Sequence, residues 1–177
     1  MTNPKITLQE CAMRYGTAMG LFWTFKFMLF PLGLRMPLLQ LVFLVLTLGV
    51  PVLGYLLAKR FRERDCAGSL SFGRAFLFTT YMYLFASILV AVTHYIYFRY
   101  LDQGFIFATY RDMIEQFRGL AQAETLTSLD QLSQAIDTLA GLTPIQLTLQ
   151  LISQNVFYGV FLALPTALLV MRRTPQA

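Results

Sequence analysis

The sequence predicts an all-α membrane protein, in which residues 1–177 form a single domain of four transmembrane helices. Hydrophobic residues make up 56% of the chain and charged residues 13%, whereas soluble proteins have roughly 25% charged residues. The mean hydropathy is +0.58. Between Ala75 and Thr93 lie 19 consecutive uncharged residues. As a helix they span about 28 Å, close to the ~30 Å hydrocarbon core of a bilayer.

The first span is predicted at residues 11–30 and ends at Pro31, which belongs to a turn signal. Ala12, Gly16 and Gly20 recur every four residues, so they share a helix face that lets a neighbouring helix approach closely. Packing is the simpler interpretation of this face, and a dedicated homodimer face is the sharper alternative. Because the apolar stretch is long and no small-x-small cleavage site follows it, we expect no cleavable signal peptide.

Two polar residues in the spans, Lys26 and His94, are the candidate functional side chains. Lys26 is the only charge more than three residues from an end of a predicted span, and an ionisable residue within a membrane is a functional candidate by default. The alternative is a lysine about one turn below the interface that extends its ammonium group outward. His94 lies in an aromatic belt, where an amphipathic ring is favoured. Both residues lie near the outer ends of their spans, where they could bind a shared anion.

The three later spans are predicted at residues 37–58, 73–100 and 144–171. Pro51 lies inside the second span, and Pro165 lies in the last third of the fourth. Each proline removes a backbone hydrogen bond and should kink its helix. Transporters use broken helices to expose backbone groups to ions, which is the functional alternative to a simple kink.

The connections between these spans differ in character. A cytoplasmic loop is predicted at residues 59–72 and an extracytoplasmic helical segment at residues 101–143. Within the latter, apolar residues recur at helical spacing, so residues 103–142 should form two amphipathic helices. Thr127 or Ser128 should cap the second of them. The apolar stripes are Ile106, Tyr110, Met113 and Phe117 in the first helix, and Leu129, Leu132, Ile136 and Leu139 in the second.

The distribution of basic residues predicts the orientation. Nine of the 14 Lys and Arg residues fall on the side that holds the N-terminus, the loop at 59–72 and the C-terminus. The positive-inside rule makes that side cytoplasmic, so both termini are predicted inside. Besides Lys5 and Arg14, these topology-setting residues are Lys59, Arg60, Arg62, Arg64, Arg74, Arg172 and Arg173.

Three stretches carry a family resemblance: Gly68 to Phe76 leading into the third span, Tyr95 to Asp102 leaving it, and Gly141 to Pro144 before the fourth. In order and spacing, the chain from about Tyr15 to Arg173 resembles a bacterial family known as domain of unknown function 4199. The resemblance implies a small four-span inner-membrane protein and supplies no reaction or catalytic residue. An acidic residue is frequent in that family where this chain has Arg74, so a role for a carboxylate there does not transfer.

The composition disfavours an enzyme. The chain has one histidine and two cysteines, without a metal-ligand pair or a nucleophile beside a base, so we expect no catalytic, cofactor or metal site. No motif supports nucleic acid as the partner of the net charge of +5. We predict a structural or accessory subunit that binds lipid or partner proteins, the latter through residues 103–142. A small oligomeric transporter or channel that uses the broken second and fourth spans is the alternative.

Overall fold

Six α-helices make up the described part of the computed structural model, which covers residues 7–172 apart from the side chains of residues 123 and 124. A π-helical turn, Tyr97–Leu101, directly follows the third helix. The all-α prediction is therefore confirmed. The helices are α1 (Leu8–Gly33), α2 (Pro37–Asp65), α3 (Phe72–Ile96), α4 (Phe105–Arg118), α5 (Ala123–Ala140) and α6 (Pro144–Val170).

Three of these helices are long and apolar enough to cross a membrane: α2, α3 together with its π-helical turn, and α6. They correspond to the second, third and fourth predicted spans. α1 is not among the three, since Lys26 and several glycines and threonines make it less apolar. Its 26 residues still give it a length of about 39 Å. The fourth membrane crossing stays a prediction.

The first two helices extend beyond the ends of the predicted spans. α1 continues through Pro31 to Gly33; because Pro31 lies close to the helix end, its missing N–H disturbs little of the helix. α2 continues to Asp65, so the first half of the connection predicted at residues 59–72 is helical, and residues 66–71 join α2 to α3. The prolines Pro51 and Pro165 lie inside α2 and α6, and both helices continue past them.

The chain divides into two compact units, one that runs to Val92 and resumes at Leu151, and one that comprises Thr93–Gln150. The assignment of residues 1–177 to one membrane domain stays a prediction. The first unit holds the larger core, with α1, α2, α3 and α6 each contributing side chains. Its largest fully buried side chains include Tyr83, Phe61, Phe78, Met19 and Met82.

The small residues of α1 lie against α3 inside the first unit. Ala12 is fully buried. A Cβ atom added at Gly16 would lie 2.8 Å from the Met82 carbonyl oxygen, and one added at Gly20 would lie 2.9 Å from Leu89 Cβ. Both distances are far below van der Waals contact, so these glycines bring the two helices together. Because α3 already occupies this face, a homodimer through it would have to displace α3.

Candidate functional site

The end of α2 is held against the start of α3 by stacked aromatic rings. Phe61 and Phe78 stack with ring centroids 3.8 Å apart and an angle of 1° between their planes. Tyr15 of α1 contacts both rings edge-on, at 6.4 Å from Phe61 and 5.6 Å from Phe78. Aromatic pairs in such arrangements add about 0.5–1.5 kcal/mol beyond the area they bury. This cluster fixes the ends of three helices to one another.

Arg62 joins α6 to this end of the first unit. Its side chain is buried, and its Nη1 donates a 3.0 Å hydrogen bond to the carbonyl oxygen of Val170, the last residue of α6. Its Nη2 donates to Oε1 of Glu63 at 3.0 Å. The last four carbonyls of a helix have no partner within the helix, and a guanidinium group satisfies one of them here. Arg62, one of the predicted topology-setting charges, is therefore also a buried structural contact.

Replacing Arg62 with alanine should destabilise the protein by about 1.5–3 kcal/mol, the range for losing a hydrogen bond to a charged group. The Val170 carbonyl would lose its partner, and the aliphatic stem would no longer fill its place. Thermal unfolding of the purified protein in detergent measures the change. Arg64→Ala is the matched control, because Arg64 is exposed and two residues away. An equal effect of the two substitutions would contradict the structural role of Arg62.

The connection between α2 and α3 is bound to Arg172, the second residue after α6. Leu70 and Arg172 form an isolated antiparallel bridge, with N–H to carbonyl distances of 2.8 and 2.9 Å. Gly68, at φ +81°, reverses the chain after α2, and its N–H donates to the Arg62 carbonyl at 2.9 Å. Left-handed backbone of this kind costs glycine little. The connection is thus fixed to two helix ends.

An ion pair links the start of α1 to the end of α2. Arg14 Nη2 lies 2.8 Å from Oδ1 of Asp65, and the Tyr15 hydroxyl donates to Oδ2 of the same carboxylate at 2.9 Å. The Arg14 guanidinium also lies 5.0 Å from the centroid of the Tyr15 ring. Together with the Arg62 contact, this pair brings the ends of α1, α2, α3 and α6 to one place, which we call the basic end.

The remaining cations of the basic end are exposed or half-buried at its surface. Among the described residues, none of them forms an ion pair, because Asp65 and Glu63 are already paired with Arg14 and Arg62. Arg173, also assigned to topology, lies outside the described residues. We call these cations the basic rim: Lys59, Arg60, Arg64, Arg74 and Arg172.

The centre of the first unit is built around Tyr83 of α3. Its ring stacks on Trp23 of α1, with centroids 5.7 Å apart and planes at 20°. A Cβ atom at Gly159 of α6 would lie 2.6 Å from Tyr83 Cβ, and one at Gly54 of α2 would collide with the Tyr83 hydroxyl. Glycines on two helices therefore make room for one tyrosine. Among the described residues, neither the Tyr83 hydroxyl nor Trp23 Nε1 has a hydrogen-bond partner.

Lys26 and His94 lie in different units. The Lys26 ammonium group lies 5.3 Å from the centroid of the Phe43 ring on α2, in cation–π distance. His94 is buried in the second unit, whereas the neighbouring Tyr95 is exposed. Binding of a shared anion by Lys26 and His94 stays a prediction. Within residues 7–172, no cluster of three or more His, Cys, Asp or Glu side chains could hold a metal ion.

α4 and α5 form an antiparallel hairpin in the second unit. Arg111 Nε lies 2.8 Å from Oδ1 of Asp137, and Arg118 Nη2 lies 2.7 Å from Oδ1 of Asp130. The two pairs lie at successive levels of the hairpin, and all four partners are at the surface. The side chains buried in this unit include Ile106, Ile114 and Ile136. The hairpin thus has ion pairs and a small apolar core of its own.

The apolar stripe of α4 differs from the predicted one in its second half. Met113 and Phe117, expected on the buried face, are exposed, and Ile114 is buried in their place. The predicted Thr127 or Ser128 cap of the second helix is also wrong, because α5 begins at Ala123.

The family model described as "Protein of unknown function (DUF4199)" matches residues 14–172. The chain belongs to this family. No curated protein and no solved structure matches it. The DUF4199 match covers both the basic end and the α4–α5 hairpin. The family description adds no activity to either, so the case for a function depends on the geometry of this chain.

Asp102 has a structural role in this DUF4199 protein that was not expected from the sequence. It is buried, and its carboxylate accepts hydrogen bonds from the N–H groups of Gly104, at 3.1 Å, and Ile106, at 3.2 Å. It therefore satisfies backbone N–H groups at the start of α4, whose N-cap residue is Gly104. The available signal was an aspartate just before a glycine and an amphipathic run, which is typical of a helix start.

Proposed function

We propose that this DUF4199 protein is a four-span integral protein of the bacterial inner membrane, with both termini in the cytoplasm, and that it acts as a non-enzymatic structural or accessory subunit. Three long apolar helices support the membrane location. The glycine face of α1, which lies against α3, supports α1 as the fourth span. The surplus of cations at the basic end supports its position in the cytoplasm.

The observation that carries the accessory role is the α4–α5 hairpin. Its ion pairs and buried isoleucines hold it together, so its other apolar side chains are not needed for its own core. Phe117, Leu120 and Leu132 are 64%, 85% and 50% exposed. Exposed apolar residues on a charged helix pair are typical of surfaces that bind another protein.

The charge of the hairpin favours a protein over a lipid as its partner. Both of its arginines are paired with carboxylates of the hairpin itself. Residues 103–142 contain five acidic residues and two arginines, so the segment is negative overall. Anionic headgroups are attracted by basic segments, not by acidic ones. We therefore assign the hairpin a partner protein that presents an apolar patch with basic residues beside it.

Two substitutions on α5 separate the core of the hairpin from its docking surface. Ile136→Asp puts a charge into the buried core and should lower the amount of membrane-inserted protein or expose the hairpin to protease. Leu132→Asp puts the same charge on an exposed side chain and should leave abundance unchanged. Under the proposal, Leu132→Asp loses a partner that co-purifies stoichiometrically with the wild-type protein.

Gln131→Asp is the matched control, because Gln131 is exposed and is the residue before Leu132. It adds the same charge without removing an apolar side chain, so it should retain the partner. The proposal would be contradicted if the wild-type protein co-purified with no stoichiometric partner, or if Leu132→Asp and Gln131→Asp behaved alike.

A transporter or channel is the second candidate, and the unpartnered Tyr83 hydroxyl and Trp23 N–H favour it. Polar groups in the interior of a membrane bundle are costly and often mark a path for a solute. Gly54 of α2 lies against the Tyr83 hydroxyl, and Pro51, three residues earlier in the same helix, leaves one backbone carbonyl of α2 without its usual N–H partner. Solute flux in proteoliposomes that is lost in Tyr83→Phe would support this candidate, and flux equal to that of protein-free vesicles would contradict it.

A further inference from the structure

We propose that the basic rim is a binding site for the phosphate-bearing headgroups of anionic phospholipids. This inference rests on the proposed membrane function and names a partner for its cytoplasmic end. The rim is made of Lys59, Arg60 and Arg64 from the last turns of α2, Arg74 from the first turns of α3, and Arg172, the second residue after α6.

Three contacts hold these helix ends together, so the cations lie at one end of the first unit. The Phe61 and Phe78 rings join α2 to α3. The Arg62 guanidinium joins α2 to α6 through the Val170 carbonyl. The bridge from Leu70 joins Arg172 to the connection before α3. The backbone positions of the rim residues on different helices are therefore fixed relative to one another. This reduces the entropy lost when their side chains bind one ligand.

The carboxylates at the basic end are already engaged. Asp65 is paired with Arg14, and Glu63 with Arg62. Glu10, in the first turn of α1, accepts hydrogen bonds from the backbone N–H of Thr7 at 2.6 Å and from its hydroxyl at 3.0 Å. The rim cations thus lack a carboxylate partner among the described residues, and their charge is available to a ligand from solution or membrane.

The depth and chemistry of the rim fit a phospholipid headgroup. Arg74 and Arg172 flank the membrane ends of α3 and α6, where headgroups lie. Four of the five cations are arginines, whose guanidinium groups bind phosphate oxygens through two parallel hydrogen bonds. Arg60 and Arg64 are four residues apart on α2, so they lie on one helix face. Basic clusters beside membrane spans bind anionic lipids for these reasons.

The test compares lipids on the purified full chain in detergent micelles. Phosphatidylglycerol or cardiolipin should raise the unfolding temperature, whereas phosphatidylcholine at the same concentration should not. In Arg60→Gln/Arg64→Gln/Arg74→Gln the anionic lipid should bind on the order of 100-fold more weakly, about fivefold for each arginine. The three arginines are exposed, so the unfolding temperature without added lipid should stay unchanged.

The control variant Arg60→Lys/Arg64→Lys/Arg74→Lys keeps the charge and should keep most of the lipid effect. Inorganic phosphate is the second ligand tested. An equal effect of free phosphate would assign the rim to a soluble anion and overturn the lipid proposal. Equal stabilisation by phosphatidylcholine, or an undiminished lipid effect in the glutamine variant, would also overturn it. Release of the wild-type protein from membranes by alkaline carbonate would instead contradict the proposed membrane function.

Discussion

Gly16→Leu is expected to destabilise the protein by about 3 kcal/mol, the upper end of the range for overpacking a closely packed interface. A Cβ atom at this position would lie 2.8 Å from both the Met82 carbonyl oxygen and Phe85 Cβ. Neither atom is the end of a flexible side chain, so α1 and α3 would have to separate. Leucine is a good helix former, which means that helix propensity cannot account for the loss. Thermal unfolding in detergent measures the effect.

Gly49→Leu provides the matched control, since a Cβ atom there would have Phe22 as its nearest contact, at 4.0 Å. It replaces a helical glycine of α2 with the same side chain and should leave stability unchanged or slightly raised. If Gly16→Leu unfolded at the wild-type temperature, the close contact of α1 with α3 would be wrong. That contact would then no longer support α1 as a membrane span.

Gly54→Ala should cost about 1–3 kcal/mol, and Tyr83→Phe should restore most of that loss. The added methyl group would collide with the Tyr83 hydroxyl, and phenylalanine removes that hydroxyl while it keeps the ring on Trp23. Tyr83→Phe alone should stabilise the protein by about 1 kcal/mol or more, because it removes a buried hydroxyl that has no partner among the described residues. A double-mutant cycle on unfolding temperatures measures the coupling between the two positions.

Gly159→Ala tests whether this rescue is specific. The new methyl group would meet Tyr83 at Cβ and Cγ, at 2.6 and 3.0 Å, and both atoms remain in phenylalanine. Tyr83→Phe should therefore rescue Gly54→Ala and fail to rescue Gly159→Ala. Rescue of both substitutions, or of neither, would contradict the position of the Tyr83 ring between α2 and α6.

Several features of the fold follow from simple rules of the sequence. The uncharged run after Arg74 has the length of a bilayer crossing, and the structure places a helix over it. The four-residue spacing of Ala12, Gly16 and Gly20 predicts a close helix contact, and in the structure they lie against α3. Such patterns are local, so one sequence carries enough information to read them.

The burial of Arg62 was not predicted, because Arg62 lies beyond the end of the predicted second span. The predicted span ended at Ala58, where the charged residues begin, although the helix itself continues to Asp65. Leu57, Ala58 and Phe61 are all buried, and helical spacing places Arg62 on their face. A helix prediction that ignored the membrane boundary would have found this position. Its partner, the Val170 carbonyl, lies over 100 residues away and cannot be read from local pattern.

The sequence predicted the two helices of the α4–α5 hairpin but not which side chains of α4 are buried. Two amphipathic helices were expected in residues 103–142, and both are present. The choice between Met113 and Ile114 for the buried face could not be made from spacing alone, since both fit positions one turn from Tyr110. The observed rotation of the two helices buries Ile114 and pairs Arg111 with Asp137 and Arg118 with Asp130. The order of charges along the chain does not predict which residues of two helices form ion pairs.

The central claim is that the basic end lies in the cytoplasm and the hairpin outside, and single cysteines test it. The native thiols are poor probes, because Cys11 is buried and burial raises the pKa of the Cys66 thiol. In a chain with both replaced by alanine, cysteines are introduced at Ser71, Gln116 and Ser128, all exposed. A membrane-impermeant thiol reagent on intact cells should label positions 116 and 128, and position 71 only after permeabilisation. Labelling of position 71 in intact cells, or protection of positions 116 and 128, would contradict the account.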